Sequence, residues 1–155
     1  MSHKLYFEIP GPPVAKGRAK ASVVCGHVNM RTPEKTARYE NLVCLAAEAA
    51  RPDGWVEIAG PVVLQIVAVF PRPKKLLERY KDGRLRNGAS EGRMPHYSLP
   101  DLSNVVKAVE DGMNHASIWQ DDARIHQIDA SKWYAAIGEL PRVEVRVSEL
   151  VGGAQ

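Results

Sequence analysis

The chain has 155 residues, 21 Lys+Arg against 18 Asp+Glu, and a formal net charge of +3. Its hydrophobic fraction of 45% excludes a wholly disordered chain, and its length suits one domain with a sizeable core. The longest apolar run, Pro61 to Phe70, is broken by Gln65 and reaches about half a membrane span, so no membrane partner is expected.

The start, Met1-Ser2-His3-Lys4, has no apolar stretch, and no secretory signal is expected. Cys25 and Cys44 form neither a Cys-x-x-Cys pair nor a disulfide framework, which fits a reducing intracellular compartment. The small net charge hides a split. Residues 1–38 carry seven Lys/Arg and two Glu, net +5, and residues 72–93 carry eight Lys/Arg and three acids, again +5. Residues 101–129 carry two basic and six acidic residues, net −4. Two basic segments around one acidic cluster suit a polyanion-binding protein with a metal-dependent centre.

In chain order, Leu5 to Ile9 predicts a strand stopped by Pro10-Gly11-Pro12-Pro13, followed by the basic loop Lys16-Gly17-Arg18-Ala19-Lys20. Residues 22–25 and 27–30 flank Gly26 as a small hairpin. A helix is expected from Thr32 as N-cap and Pro33 as first helical residue, with Tyr39, Leu42, Val43 and Ala46 on its buried face. Val62 to Phe70 reads as a central strand buried on both faces, Lys74 to Tyr80 as a short helix, and Lys81 to Pro95 as a mobile Gly- and Arg-rich loop. A second helix is predicted over Leu102 to Asn114, with Asn104, Lys107 and Asp111 aligned on one face. Arg124 to Ala136 reads as a strand, and Val143, Val145 and Val147 alternate with polar residues as in a half-buried antiparallel strand. The expected fold is α+β, a small mixed sheet with two main helices, in one domain over 1–150 with a loose tail over 151–155.

The informative stretch is Pro100-Asp101-Leu102-Ser103-Asn104-Val105-Val106-Lys107, with Glu110-Asp111 beyond it and Trp119-Gln120-Asp121-Asp122-Ala123-Arg124-Ile125 further on. A bland reading makes Asp101 and Ser103 helix caps, Lys107 and Asp111 a surface pair, and Asp121-Asp122 a turn. Lys16, Arg18, Lys20, Arg31, Lys35, Arg72, Lys74 and Lys75 are candidate phosphate contacts, which position DNA without reading its sequence. Aromatic residues are 6% of the chain, which argues against a stacking platform for single strands. Tyr97 could wedge a base step. A nuclease built on His96, His115 or His126 lacks a supporting motif.

The spacing of this stretch resembles that of RusA-type Holliday junction resolvases, a family of phage and prophage endodeoxyribonucleases: Pro-Asp-x-(Asp/Ser)-Asn-(Leu/Val)-x-Lys-x-x-x-Asp, then Asp-Asp-x-x-(Ile/Val). Ile9-Pro10-Gly11-Pro12, Lys16-Gly17-Arg18, Arg31-Thr32-Pro33 and Lys132-x-Tyr134 extend the similarity along nearly the whole chain. The resemblance implies a cytoplasmic homodimer, in a bacterial or phage-infected cell, acting in DNA recombination and repair. It implies binding to four-way DNA junctions and hydrolysis of one phosphodiester per subunit. Asp101 and Asp122 would be carboxylate ligands of Mg²⁺, with Mn²⁺ able to substitute, and Lys107 would lie near the scissile phosphate; Lys132 would join the DNA contacts. Ser103 stands where the family pattern often has a further aspartate, and is expected to reach the metal through water. Asp121 is the candidate replacement, because Asp111 lies about 15 Å along the helix from Asp101. A junction-binding protein of the same fold that has lost catalysis through Ser103 is the alternative.

Overall fold

In the computed structural model, which describes residues 3–151, the elements in chain order are β1 (Lys4–Pro10), β2 (Lys20–Val24), β3 (His27–Arg31), α1 (Glu34–Ala50) and β4 (Val62–Phe70). There follow β5 (Met94–Pro95), α2 (Leu102–His115), β6 (Ile125–Tyr134) and β7 (Arg142–Glu149), with short 3-10 turns at Lys74–Leu77 and Asp122–Arg124. Most of the tail expected over 151–155 lies outside the described residues. No helix among those described is long and apolar enough to cross a membrane.

Five strands form one mixed sheet in the order β1-β7-β4-β6-β5, in which β4 and β6 are parallel and the other pairs antiparallel. This is the small mixed sheet with two helices expected from the sequence. Alternation does the sorting: Leu5, Phe7 and Ile9 on β1 and Val143, Val145 and Val147 on β7 face the helices, while Tyr6 and Arg146 face away. Leu64 and Ile66 of β4 join Val43 and Ala47 of α1 and Val105, Val109 and Met113 of α2 in one core.

The helices cover one face of the sheet, and that corrects the reading of β4 as buried on both sides. Gln65 is exposed and Val63 and Val67 are half-buried, because nothing among the described residues packs a layer over that side. Thr32 is not the cap of α1. Pro33 holds the N-cap position with extended backbone, and its carbonyl accepts the first helical bond from Ala37 at 3.0 Å. The expected helix over Lys74 to Tyr80 shrinks to one 3-10 turn after Pro73. β2 and β3 pair as a separate ribbon whose two-residue turn, Cys25-Gly26, has φ of 51° and 77°, the geometry of a tight hairpin.

The segment between β4 and β5 carries little regular structure, yet it is tied down. The Arg72 guanidinium donates to the carbonyls of Ala135 at 2.9 Å, Ser90 at 2.6 Å and Gly92 at 2.5 Å. Arg93 forks onto Glu139 at 2.6 Å and reaches Glu144 at 2.9 Å. The Arg93 guanidinium pulls the Glu139 carboxyl down to about 2, against the opposing effect of burial.

α1 crosses α2 at Gly112. A Cβ there would sit 2.5 Å from Val43 Cβ and 2.7 Å from the Glu40 carbonyl oxygen, so the two backbones touch through the missing side chain. Gly112→Ala is expected to destabilise the fold by about 1–3 kcal/mol, the usual cost of overpacking, as checked by urea denaturation. Glu139 contributes stability that is full above its ordinary value of 4.5 and is lost as pH falls toward about 2. Glu139→Gln should therefore flatten that acid limb of the stability profile, measured by denaturation from pH 5 downward.

Candidate active site

Asp101 stands at the N-cap of α2 with extended backbone, φ −63° and ψ 137°. Its carbonyl accepts from the Asn104 and Val105 N–H groups at 3.1 and 3.3 Å, while its carboxylate makes no capping bond. That exposed carboxylate also has no ion-pair partner among the described residues. The turn before it is held from β6, where the Lys132 ammonium donates to the carbonyl oxygens of Ser98 and, at 2.6 Å, Pro100. Tyr134 adds a hydroxyl contact to Ser98 Oγ at 3.1 Å.

Two residues further comes Ser103, exposed on α2, and about one turn beyond it Lys107. The amphipathic pattern explains this display: Val105, Ala108, Val109 and Gly112 are buried, which turns the polar residues outward. Lys107 Nζ lies 3.3 Å from Asp111, 3.5 Å from Asp122 and 3.9 Å from Glu110. Partial burial works against its charge, but the three carboxylates outweigh that and hold its pKa above the ordinary lysine value. Burial pushes the Glu110 carboxyl upward, reinforced by Asp111 and Asp122 and opposed by Lys107.

The Asp121-Asp122 turn is anchored by Trp119, which is buried with its indole N–H donating to Asn114 Oδ1 at 2.5 Å. Gln120 and Ile118 pair with Ile58 across a short bridge, both at 3.1 Å. Asp121 Oδ1 accepts from the Ala123 N–H at 2.8 Å and so closes its own turn. Asp122 opens the 3-10 turn, exposed, with its carboxylate toward Lys107.

A second lysine completes the arrangement. Lys16, from the loop after β1, pairs with Asp111 and lies 3.5 Å from Glu40 of α1, while its N–H donates to the Asn104 carbonyl at 2.8 Å. The two ammonium groups hold the Asp111 carboxyl below its usual range although burial acts in the other direction. Glu40 is buried, and its Oε1 has no hydrogen-bond partner. Asp111 thus lies between two lysines, Lys107 from its own helix and Lys16 from near the start of the chain. Neither Glu40 nor this use of Lys16 could be found from the sequence, because Lys16 and Asp111 are 95 residues apart with no shared period.

The structure brings Lys107, Asp111 and Asp122 together, and Asp101 stands at the start of the same helix. Among the described residues no three His, Cys, Asp or Glu side chains converge tightly enough to hold a metal ion by themselves. The donors present are hard carboxylate oxygens, the type that Mg²⁺ accepts. That ion is commonly held by one or two carboxylates, with water and substrate phosphate completing its shell. The residues therefore fit such an ion, provided that the substrate supplies oxygens.

Of the basic residues read as phosphate contacts, Arg18, Lys20, Arg31, Lys35, Lys74 and Lys75 are exposed and without ion pairs among the described residues. Lys16, Arg72 and Lys132 are engaged within the chain by the bonds described above. Of the histidines, His96 is buried and stacked on Tyr134 with ring centroids 4.3 Å apart. His115 and His126 are exposed.

Comparison with known proteins bears on the same residues. The family model of the endodeoxyribonuclease RusA matches residues 10–148, a span that includes the whole of α2 and the acidic turn. The uncharacterized protein YqaN of Bacillus subtilis (strain 168) is 35% identical over 144 residues, covering 93% of this chain and 95% of that protein.

Asp111→Asn should lower the Lys107 ammonium pKa, followed by ¹³C NMR of the lysine Cε signals, and cost on the order of 1–3 kcal/mol of stability.

Proposed function

The chain belongs to the RusA endodeoxyribonuclease family, and from this premise we propose that it is a Mg²⁺-dependent nuclease that resolves four-way DNA junctions as a homodimer. The observation that carries the reading is the ion pair between Lys107 and Asp122, 3.5 Å long. It joins the two halves of the family motif, one on α2 and one on the turn before β6, into a single exposed site.

In this site Asp101 and Asp122 would be the carboxylates that hold the cation, with Asp121 as the candidate third carboxylate and the Ser103 hydroxyl contributing through water. A bound divalent cation supplies Lewis-acid stabilisation of the phosphate and a nucleophilic water. The residues of the chain do the rest. Lys107 offers its ammonium to a non-bridging phosphate oxygen when the backbone of the DNA enters beside Asp122. Asp111 keeps that ammonium charged and aimed outward. Lys16, pinned between Asp111 and Glu40, holds the basic loop against α2, so that Arg18 and Lys20 lie on the approach to the site. Arg31, Lys35, Lys74 and Lys75 add further phosphate contacts, and Lys132 acts by fixing the turn that presents Asp101. Two subunits place two such sites on one junction, which gives paired nicks in opposing strands.

The test is cleavage of a synthetic four-way junction with labelled arms. Paired nicks are expected in Mg²⁺ and in Mn²⁺ and none without a divalent cation. Asp122→Asn should abolish cleavage while junction binding persists. Full activity of that variant would overturn the site assignment. Binding without cleavage by the unaltered protein in both metals would instead identify a junction-binding protein that Ser103 has left without catalysis.

A further inference from the structure

Beside the turn that leads into Asp101 the structure opens a cleft of about 500 Å³ that the reaction described above does not use. That volume falls within the ~300–1,000 Å³ of ordinary small-molecule sites. Its lining is largely apolar, from Pro73, Leu76, Met94, Pro95 and the rings of Tyr97 and Tyr134, with Asn87 and Ser98 as polar members. Lys75 also lines it, exposed and without an ion pair among the described residues.

The two tyrosines are held very differently. Tyr134 belongs to β6, and His96 stacks on its ring at 4.3 Å and 19° while meeting Phe70 edge-on at 4.6 Å. This aromatic column runs from the sheet to the cleft and fixes the Tyr134 ring. Tyr97 is 94% exposed, an aromatic side chain that covers nothing in the free protein. A rigid ring, a free ring and a cation around an apolar slot form the chemistry that takes a flat heterocycle with an attached phosphate. Aromatic residues are scarce in this chain, yet two of its five tyrosines line this one cleft.

Position narrows the occupant. Ser98 lines the cleft, and its carbonyl and hydroxyl are the groups held by Lys132 and Tyr134. Two residues, Leu99 and Pro100, separate it from Asp101, a reach of at most about 11 Å of chain. A strand whose phosphate lies at Asp101 therefore passes a neighbouring nucleotide across the mouth of the cleft. A base within a duplex cannot enter, because it is stacked and paired. A base next to the exchange point of a four-way junction enters at a smaller unstacking cost.

We infer that the cleft between Tyr97 and Tyr134 captures one unstacked nucleobase beside the cleavage site and thereby selects branched over duplex DNA. This rests on the junction-resolving reading and goes beyond it by naming a base-binding subsite.

The experiment uses the full chain without divalent cation, so that DNA stays intact. Affinities for a four-way junction and for a matching duplex are measured first by fluorescence anisotropy. 5-Iododeoxyuridine at each position flanking the exchange point then reports, by photocrosslinking and peptide mass spectrometry, which side chain a base touches. Crosslinks to the peptides of Tyr97 or Tyr134 are expected from one position of the junction and from none in the duplex. Tyr97→Ala, at an exposed position that should leave folding intact, is expected to weaken junction binding roughly 5- to 150-fold, with duplex binding unchanged. Met94→Trp, which fills the slot, should do the same. Junction binding without those crosslinks, or an equal loss on junction and duplex, would overturn the subsite and leave the nuclease reading standing. Failure to bind junctions at all would overturn both.

Discussion

The contact of α1 with α2 at Gly112 sets the distances on which the rest depends. With no side chain at that point, the Glu40 carbonyl and Val43 come within van der Waals reach of the α2 backbone. The same approach puts the Glu40 side chain near Asp111, the residue next to Gly112. Lys16 reaches both the buried Glu40 and the half-buried Asp111 and so links the two helices. The loop after β1 is therefore held on the helices by charge, with hydrogen bonds from its backbone to Asn104 and Thr36 completing the attachment. Packing and electrostatics here are one constraint: a wider crossing would separate the carboxylates and release the loop.

From that point the charges are arranged in alternation along α2. Glu40, Lys16, Asp111, Lys107 and Asp122 follow one another from the buried helix crossing to the exposed turn. Each lysine is shared between carboxylates, so each is kept charged despite partial burial. At the outer end Asp122 and Asp101 remain exposed, the first with a single lysine partner and the second with none among the described residues. Charge is neutralised inside and left incomplete outside, where two exposed carboxylates face solvent.

The sheet contributes position more than chemistry. β6 runs parallel to β4 at the centre and carries Lys132 and Tyr134 to the turn before α2. Lys132 is a basic residue whose charge is used on two carbonyls, and Arg72 uses its own in the same way to gather the segment between β4 and β5. Both illustrate that a basic side chain need not be a nucleic-acid contact. The chain spends several of its positive charges on loop carbonyls, and the exposed remainder on the ribbon, α1 and the 3-10 turn face solvent.

Much of this was legible in the residues. The alternation in β1 and β7, the apolar run of β4 and the stripe of α2 determined the elements, since side-chain period is a local property. The ordered motif from Pro100 to Asp122 carried the family, because spacing along a helix and a turn survives in one dimension. The cap of α1 was misread because Thr32 and Pro33 both suit a helix start, and backbone angles, not residue preference, decide between them. What tertiary structure alone decided was who meets whom: Lys16 with Asp111 and Glu40, Lys107 with Asp122, Arg72 with the carbonyls of Ala135, Ser90 and Gly92, and Tyr97 with Tyr134 around one cleft. The net charge of +3 belonged to the sequence; the pairing of its opposite signs belonged to the fold, because a Coulomb interaction depends on distance in space and the chain order carries none of it.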